Sequence, residues 1–245
     1  MSYVDSMVSE GLRLVPHPRN GAANPVGAGR SPFFVAVEGP TGVGKTTLVS
    51  RLSELVSAKP FFDPFEANPF LPRLYAAATS EEASRHGLLT ELTFVALRVV
   101  QLREIRSHLA AGGSILADWS MVKTTAFAAA TLEPADQERV ARTCALWASD
   151  LPTPDLLIHL RADPVTLASR VAGRGRQMER DLTEEYFAAL SAAFDAVLPG
   201  CGTPVLAVDA AGLDVFDDAV VAQLADHVFE ALDSRGERLW SAQNQ

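Results

Sequence analysis

The stretch that most limits what this chain can fold into is residues 39–47. There Gly39, Thr41, Gly42, Val43, Gly44, Lys45, Thr46 and Thr47 complete a phosphate-binding pattern: two glycines enclosing four residues, followed by Lys and Thr. The preceding run, Phe33-Phe34-Val35-Ala36-Val37-Glu38, is apolar, aromatic and β-branched, and residues 48–58 carry apolar side chains at helical spacing. The glycines therefore lie between a strand and a helix, the context the pattern requires. Without Cβ atoms the loop can turn its N–H groups onto an anion, and the opening helix adds its positive dipole end. Lys45 is placed to reach terminal phosphates as a point charge, and the Thr46 hydroxyl to ligate Mg²⁺. The stretch predicts a nucleoside triphosphate site.

The chain has 245 residues, 48% hydrophobic and 21% charged, enough for one α/β domain with a sizeable buried core. A net charge of −9 argues against a nucleic-acid or anionic-membrane surface, since such partners require a basic face. Cys144 and Cys201 are far apart and in no paired spacing, so neither a zinc site nor a disulfide framework is indicated. No apolar run reaches membrane-spanning length, and the first residues lack a basic stretch followed by an apolar one. A cytoplasmic protein is expected.

Residues 1–31, rich in Gly, Pro, Asn, Ser and Ala without sustained periodicity, are expected to form a flexible tail, leaving 32–245 as one domain. Phe61-Phe62-Asp63 ends a second strand near Asp63, where an acid beyond a strand's carboxyl end is well placed to face a triphosphate. From 85 to 111, Leu88, Leu92, Val95, Val99, Leu102, Ile105 and Leu109 step by three and four, and Gly112-Gly113 supplies a stop. Glu91 and Arg98, seven apart, share a face of that long helix. Residues 114–118 read as a buried strand ending in Asp118, a candidate metal-side acid. Helical character follows over 132–150, a strand over 154–160, a helix from Pro164, a strand over 204–208 and a helix over 214–234. Five strands separated by helices predict a parallel sheet with helices on both faces.

Arg170, Arg174, Arg176 and Arg180 fall within eleven residues interrupted by Gly173 and Gly175, the densest positive patch in an acidic chain. An Arg-rich lid over about 173–181, clamping phosphate during transfer, is expected from it. The five histidines show neither metal nor triad spacing.

From 33 to 209 the chain resembles the deoxynucleoside kinase family, in particular its bacterial deoxyadenosine/deoxyguanosine kinase branch. The resemblance rests on Val37-Glu38-Gly39, on Asp63-Pro64 followed by Asn68-Pro69-Phe70-Leu71, and on Arg98 in the long helix. It rests further on Ala117-Asp118-Trp119 with Lys123 and Phe127, and on Arg174-Gly175-Arg176 followed by Glu179 and Tyr186. It implies a P-loop kinase fold, with ATP and Mg²⁺ as cofactors and a nucleoside-like small molecule as acceptor. Asp63 then stands where the family keeps a Glu accepting the 5′-hydroxyl proton, and Asp118 on the Mg²⁺ side with Thr46. Arg170, Arg174 and Arg176 would neutralise the transferring phosphoryl group, Tyr75 and Glu179 would bind the sugar 3′-hydroxyl, and Arg98 would point at the nucleobase. The resemblance also implies a homodimer packed through long helices.

The chain departs from the family pattern mainly on the acceptor side. Asp63 is a methylene shorter than Glu, and Glu91 replaces a base-reading Gln; ionised, it would only accept and so suit an edge with two donors, such as guanine's. Trp119 stands where many relatives have Arg, and Lys123 is the candidate for the missing positive charge. Three functional readings stay open at this level: a kinase acting on a nucleoside 5′-hydroxyl, a kinase of another small acceptor such as a nucleoside monophosphate, and a non-catalytic nucleotide-binding regulatory protein.

Overall fold

The computed structural model describes residues 30–243, so nearly all of the expected tail lies outside the described residues. Five strands form one sheet: β1 (Phe34–Glu38), β2 (Lys59–Phe61), β3 (Ile115–Ala117), β4 (Leu156–Arg161) and β5 (Val205–Asp209). Their order is β2-β3-β1-β4-β5 and every pairing is parallel. β1 is buried along its whole length, which fits its unbroken apolar composition, as expected for a strand covered on both faces.

Successive side chains of β1 point to opposite faces and nucleate two separate cores. Phe33, Val35 and Val37 pack on one side with α1 (Lys45–Val56), α6 (Pro164–Arg174) and α8 (Asp218–Gln243) through Leu48, Leu52, Leu167, Leu224 and Val228. Phe34 and Ala36 pack on the other with α3 (Ser80–Ala110), α4 (Met121–Thr131) and α7 (Glu184–Val197) through Leu102, Ile105, Ala126, Leu190 and Phe194. Two further helices, α2 (Leu71–Tyr75) and α5 (Pro134–Ala145), border the second layer.

Helix α3 matches the expected long helix but starts earlier, because the Thr79 side chain accepts a hydrogen bond from the Glu82 N–H and caps it. Gly112, at φ 87°, terminates it in the left-handed region, where a side chain is disfavoured. The helix expected over 132–150 is shorter, starting at Pro134 and dissolving into turns after Ala145. The last helix begins at Asp218 rather than 214. Helices α2, α4 and α7 were not foreseen. Helix α4 has only Lys123 as a charged residue and small Ala and Thr at most other positions, buried or not, so it shows no clear amphipathic stripe. For α7 the signal was present: Thr183 accepts from the Tyr186 N–H, and Glu184 and Glu185 occupy the first turn.

Candidate active site

The carboxyl ends of β1, β2 and β3 deliver three loops to one cleft, as parallel sheets do. The loop after β1 passes through left-handed glycines at Gly39, Gly42 and Gly44. A Cβ on Gly39 would stand 2.4 Å from the Leu160 carbonyl oxygen, and one on Gly42 2.7 Å from the Val171 side chain, so both glycines are required by packing as well as by φ. Gly44 caps α1 without a side-chain bond to the opening amides, leaving them to an anion. Lys45 folds over the loop, its Nζ donating to the Gly39 and Pro40 carbonyls at 2.7 and 2.8 Å. Burial, reinforced by Lys123, pushes the Lys45 ammonium below its ordinary pKa, while burial pushes the neighbouring Glu38 carboxyl up.

Asp118, at the end of β3, ties the donor and acceptor sides together. One carboxylate oxygen accepts from the Thr46 hydroxyl and the other from the Asp63 N–H at 2.7 Å. Asp63 follows β2 and is only 9% exposed in its side chain; Oδ1 accepts from Arg98 Nε and Nη2 at 3.1 and 2.8 Å, and Oδ2 from Lys123 Nζ at 2.7 Å. Burial alone would raise its pKa, but Arg98 and Lys123 outweigh burial and hold the carboxylate at about 2. Beneath this cluster Glu38 accepts from both the N–H and the hydroxyl of Ser120 at 2.6 Å, fixing the start of α4 and hence Lys123.

The cleft as a whole encloses about 240 Å³, and beside the phosphate loop it has room for a small molecule. Its walls include Tyr75 and Leu74 of α2, Glu91, Phe94 and Arg98 of α3, Lys123, Phe127 and Thr131 of α4, and Tyr186 of α7. Tyr75 is raised to about 12 by burial and hydrogen-bonds Tyr186, which in turn reaches Thr41 of the phosphate loop. Glu91 is 3% exposed, its Oε2 has no hydrogen-bond partner, and burial raises its pKa to about 8. Burial opposes the ionised, acceptor-only form of the carboxyl, while Arg98 and Lys123 favour it.

Arg174, at the end of α6, and Arg176, just beyond it, both engage Glu179, Arg176 at 3.5 Å, and the Arg176 guanidinium stacks on Phe65 at 4.3 Å. Arg170 lines the cleft while donating to the carbonyls of Val43, at 3.3 Å, and Ala210, at 2.9 Å, so it braces the phosphate loop against the end of β5.

Most sequence-selected residues meet in this cleft: Thr41, Gly42, Gly44, Lys45, Thr46, Thr47, Asp63, Tyr75, Glu91, Arg98, Asp118, Lys123, Arg170, Arg174, Arg176 and Glu179. Trp119 does not reach it. The ring is fully buried in the second core and lies 5.7 Å from the Arg98 guanidinium, which corrects its selection as a substrate contact to one as packing beneath Arg98. Arg98 itself is committed to Asp63 and Thr124 instead of pointing freely at a base. Val43 is a core residue whose contribution to the loop is its backbone, and Gly39 acts through its carbonyl and its turn. Phe65, Phe94, Thr131 and Glu38 were missed. Phe94 was findable, lying three residues after Glu91 and four before Arg98 on the same helical face.

Residues 35–233 match the deoxynucleoside kinase family. Deoxyguanosine kinase of Bacillus subtilis is 30% identical over 206 residues, covering 81% of this chain and 97% of that protein. The deoxyadenosine/deoxycytidine kinase of the same organism is 25% identical over 194 residues, covering 76% and 86%. Among solved structures, deoxyadenosine kinase from M. mycoides with bound dATP superposes with a TM-score of 0.65 at 20% identity, over 80% of this chain and 98% of that one. The phosphate loop, the acids closing it and this similarity along most of the sequence place the chain in the deoxynucleoside kinase family.

Proposed function

We propose that the cleft transfers the γ-phosphoryl group of Mg-ATP to the 5′-hydroxyl of a deoxynucleoside, with Asp63 receiving the hydroxyl proton. The observation that carries this reading is the continuous polar path from Thr46, beside Lys45 in the phosphate loop, through Asp118 to Asp63 and Lys123, ending at an acceptor pocket walled by Phe94 and Phe127. Lys45 and the helix end hold the donor phosphates, and Arg174 and Arg176 leave Glu179 to neutralise the moving phosphoryl group. Asp63, held at about 2, is a weak base. It orients the hydroxyl and takes its proton late, which suits a loose transition state with little early bond formation. Positioning and charge neutralisation then carry the reaction without a covalent enzyme intermediate.

Thr46 and Asp118 fit Mg²⁺: two hard oxygens in contact at the phosphate loop, leaving the remaining positions to water and phosphate oxygens. When bound, the ion neutralises charge on the phosphate oxygens. Tyr75 and Glu179 are proposed sugar contacts. A homodimer belongs to the same reading, supported by Leu89, Ala96 and Val100, which form an exposed small-apolar line along α3, with Val100 56% exposed. A cytoplasmic setting accords with the acidic balance; among the described residues no helix is long and apolar enough to cross a membrane.

An ADP-release assay across nucleosides and nucleoside monophosphates with Mg-ATP tests the proposal. Turnover with deoxynucleosides, abolished in Lys45→Ala, is expected; turnover confined to monophosphates would overturn it.

A further inference from the structure

Phe65 is a large aromatic side chain that the packing of the cores does not account for. It lies in the loop after β2, belongs to none of the three apolar clusters among the described residues, and lines the cleft half-buried. Its ring faces Arg176, whose guanidinium carbon stands 4.3 Å from the ring centre. The two ends of this contact differ in how firmly they are held. Before Phe65, Asp63 is tied to Asp118 through its N–H and to Arg98 and Lys123 through its carboxylate. After it, buried Asn68 donates to the Thr90 carbonyl of α3 at 3.0 Å and accepts from the Phe70 N–H at 3.1 Å. Phe65–Ala67 forms a single tight turn between these anchors, so the ring stands on a fixed platform. Arg176 has no such support. It follows Gly175, which ends α6 at φ 71°, it lies outside any α-helix, and its side chain is 37% exposed. Glu179, which it shares with Arg174, stands 3.5 Å away. A long side chain so placed samples many rotamers unless something orders it.

We propose that Phe65 is a positioning residue for phosphoryl transfer, its ring holding the Arg176 guanidinium at the cleft. A guanidinium has a flat face and an edge of N–H donors, and the two can be used at once. Phe65 takes the face. The edge that meets Glu179 can then pass to the oxygens of the transferring group while the stack stays in place. Phe65 is two residues from Asp63 on the same pinned loop. One rigid stretch of backbone thus sets both the acid at the acceptor hydroxyl and, through the ring, the cation at the phosphoryl group, which is the alignment that such a transfer depends on. The ring acts on Arg176 and not on either substrate. The assignment rests on the nucleoside-kinase reading above.

The test is the single-turnover transfer rate of the full chain, with KM for Mg-ATP and for its best deoxynucleoside, in wild type, Phe65→Leu, Phe65→Tyr, Arg176→Lys and the double variant Phe65→Leu/Arg176→Lys. Phe65→Leu keeps an apolar side chain but has no ring face. It should slow transfer about three- to tenfold, the range of one partly exposed cation–π contact, with both KM values within about twofold of wild type. Phe65→Tyr keeps the ring and should restore the rate to within about twofold. Arg176→Lys keeps a charge but no flat guanidinium, so in that background Phe65→Leu should cost less than about twofold. Four outcomes overturn the assignment while leaving the kinase reading standing: an unchanged rate in Phe65→Leu, an equal loss with Arg176 or Lys in place, a Phe65→Tyr as slow as Phe65→Leu, or a nucleoside KM that rises while the rate holds. The last makes Phe65 a wall of the acceptor pocket. Absence of transfer to every deoxynucleoside in wild type overturns the kinase reading and this assignment with it.

Discussion

At the scale of single residues the chemistry turns on two buried carboxyls with different partners. Asp63 pairs directly with two cations and is kept ionised, whereas Glu91, near the same cations but with Oε2 unpartnered, is pushed up by burial. The ordinary value for Asp63 is 3.8 and its folded value about 2, so pairing with Arg98 and Lys123, net of the opposing burial, contributes about 2 kcal/mol. That stability is present above about pH 4 and is lost as pH falls through 2. Asp63→Asn should lower kcat at least about 100-fold while the apparent affinity for ATP changes by less than about threefold, measured by steady-state kinetics and nucleotide titration. A kcat within a few-fold of wild type would remove Asp63 from the proton-accepting role. Both acids were visible in the sequence as positions, Asp63 beyond a strand and Glu91 on a helix face. Their protonation states were not visible, because those depend on which distant cations fold against them: Lys123 is 60 residues from Asp63, and Arg98 turns toward Asp63 and away from Glu91. Trp119 shows the same limit, since proximity in sequence to Asp118 says nothing about the side chain alternating into the core.

At the scale of elements, the phosphate loop was legible because its glycines, strand and helix are contiguous in sequence. Its close packing was not. Gly39 lies against the Leu160 carbonyl of β4 and Gly42 against Leu167 and Val171 of α6, so the phosphate loop is clamped by the segment that leads into the arginine-rich stretch. Gly39→Ala must place a Cβ where a backbone oxygen already is, at φ 139°. It should lower Tm by about 5–10 °C in a thermal melt, and an unchanged Tm would mean that the loop is free of β4. The arginine-rich stretch was recognisable from its density of charge, yet the sequence showed nothing of its internal counter-charge. Glu179 holds Arg174 and Arg176, and Phe65 holds Arg176 from across the mouth, so in the proposed transfer engaging phosphate would exchange one set of ionic partners for another. Helices α4 and α7 differ in their legibility: α4, mostly Ala and Thr, shows no clear period, while α7 carries a readable cap at Thr183.

At the scale of the whole molecule, the strand order β2-β3-β1-β4-β5 brings the ends of β1, β2 and β3 side by side and makes one cleft from loops about 80 residues apart. The five strands and their parallel arrangement were readable from alternation of strand and helix, whereas their spatial order was not, because nothing local encodes which strand lies beside β1. The exposed line through Leu89, Ala96 and Val100 is the molecular face on which the proposed dimer depends; Val100→Arg should convert a dimer to a monomer in sedimentation, and an unaltered mass would move the interface elsewhere. The central claim is that donor and acceptor halves of this one cleft perform a single transfer. Product analysis by phosphorus NMR after incubation with Mg-ATP and deoxynucleosides tests it most directly. The account predicts equal amounts of ADP and a deoxynucleoside 5′-monophosphate, whereas ADP formed without a phosphorylated nucleoside, or phosphate carried at the 3′-oxygen, would contradict it.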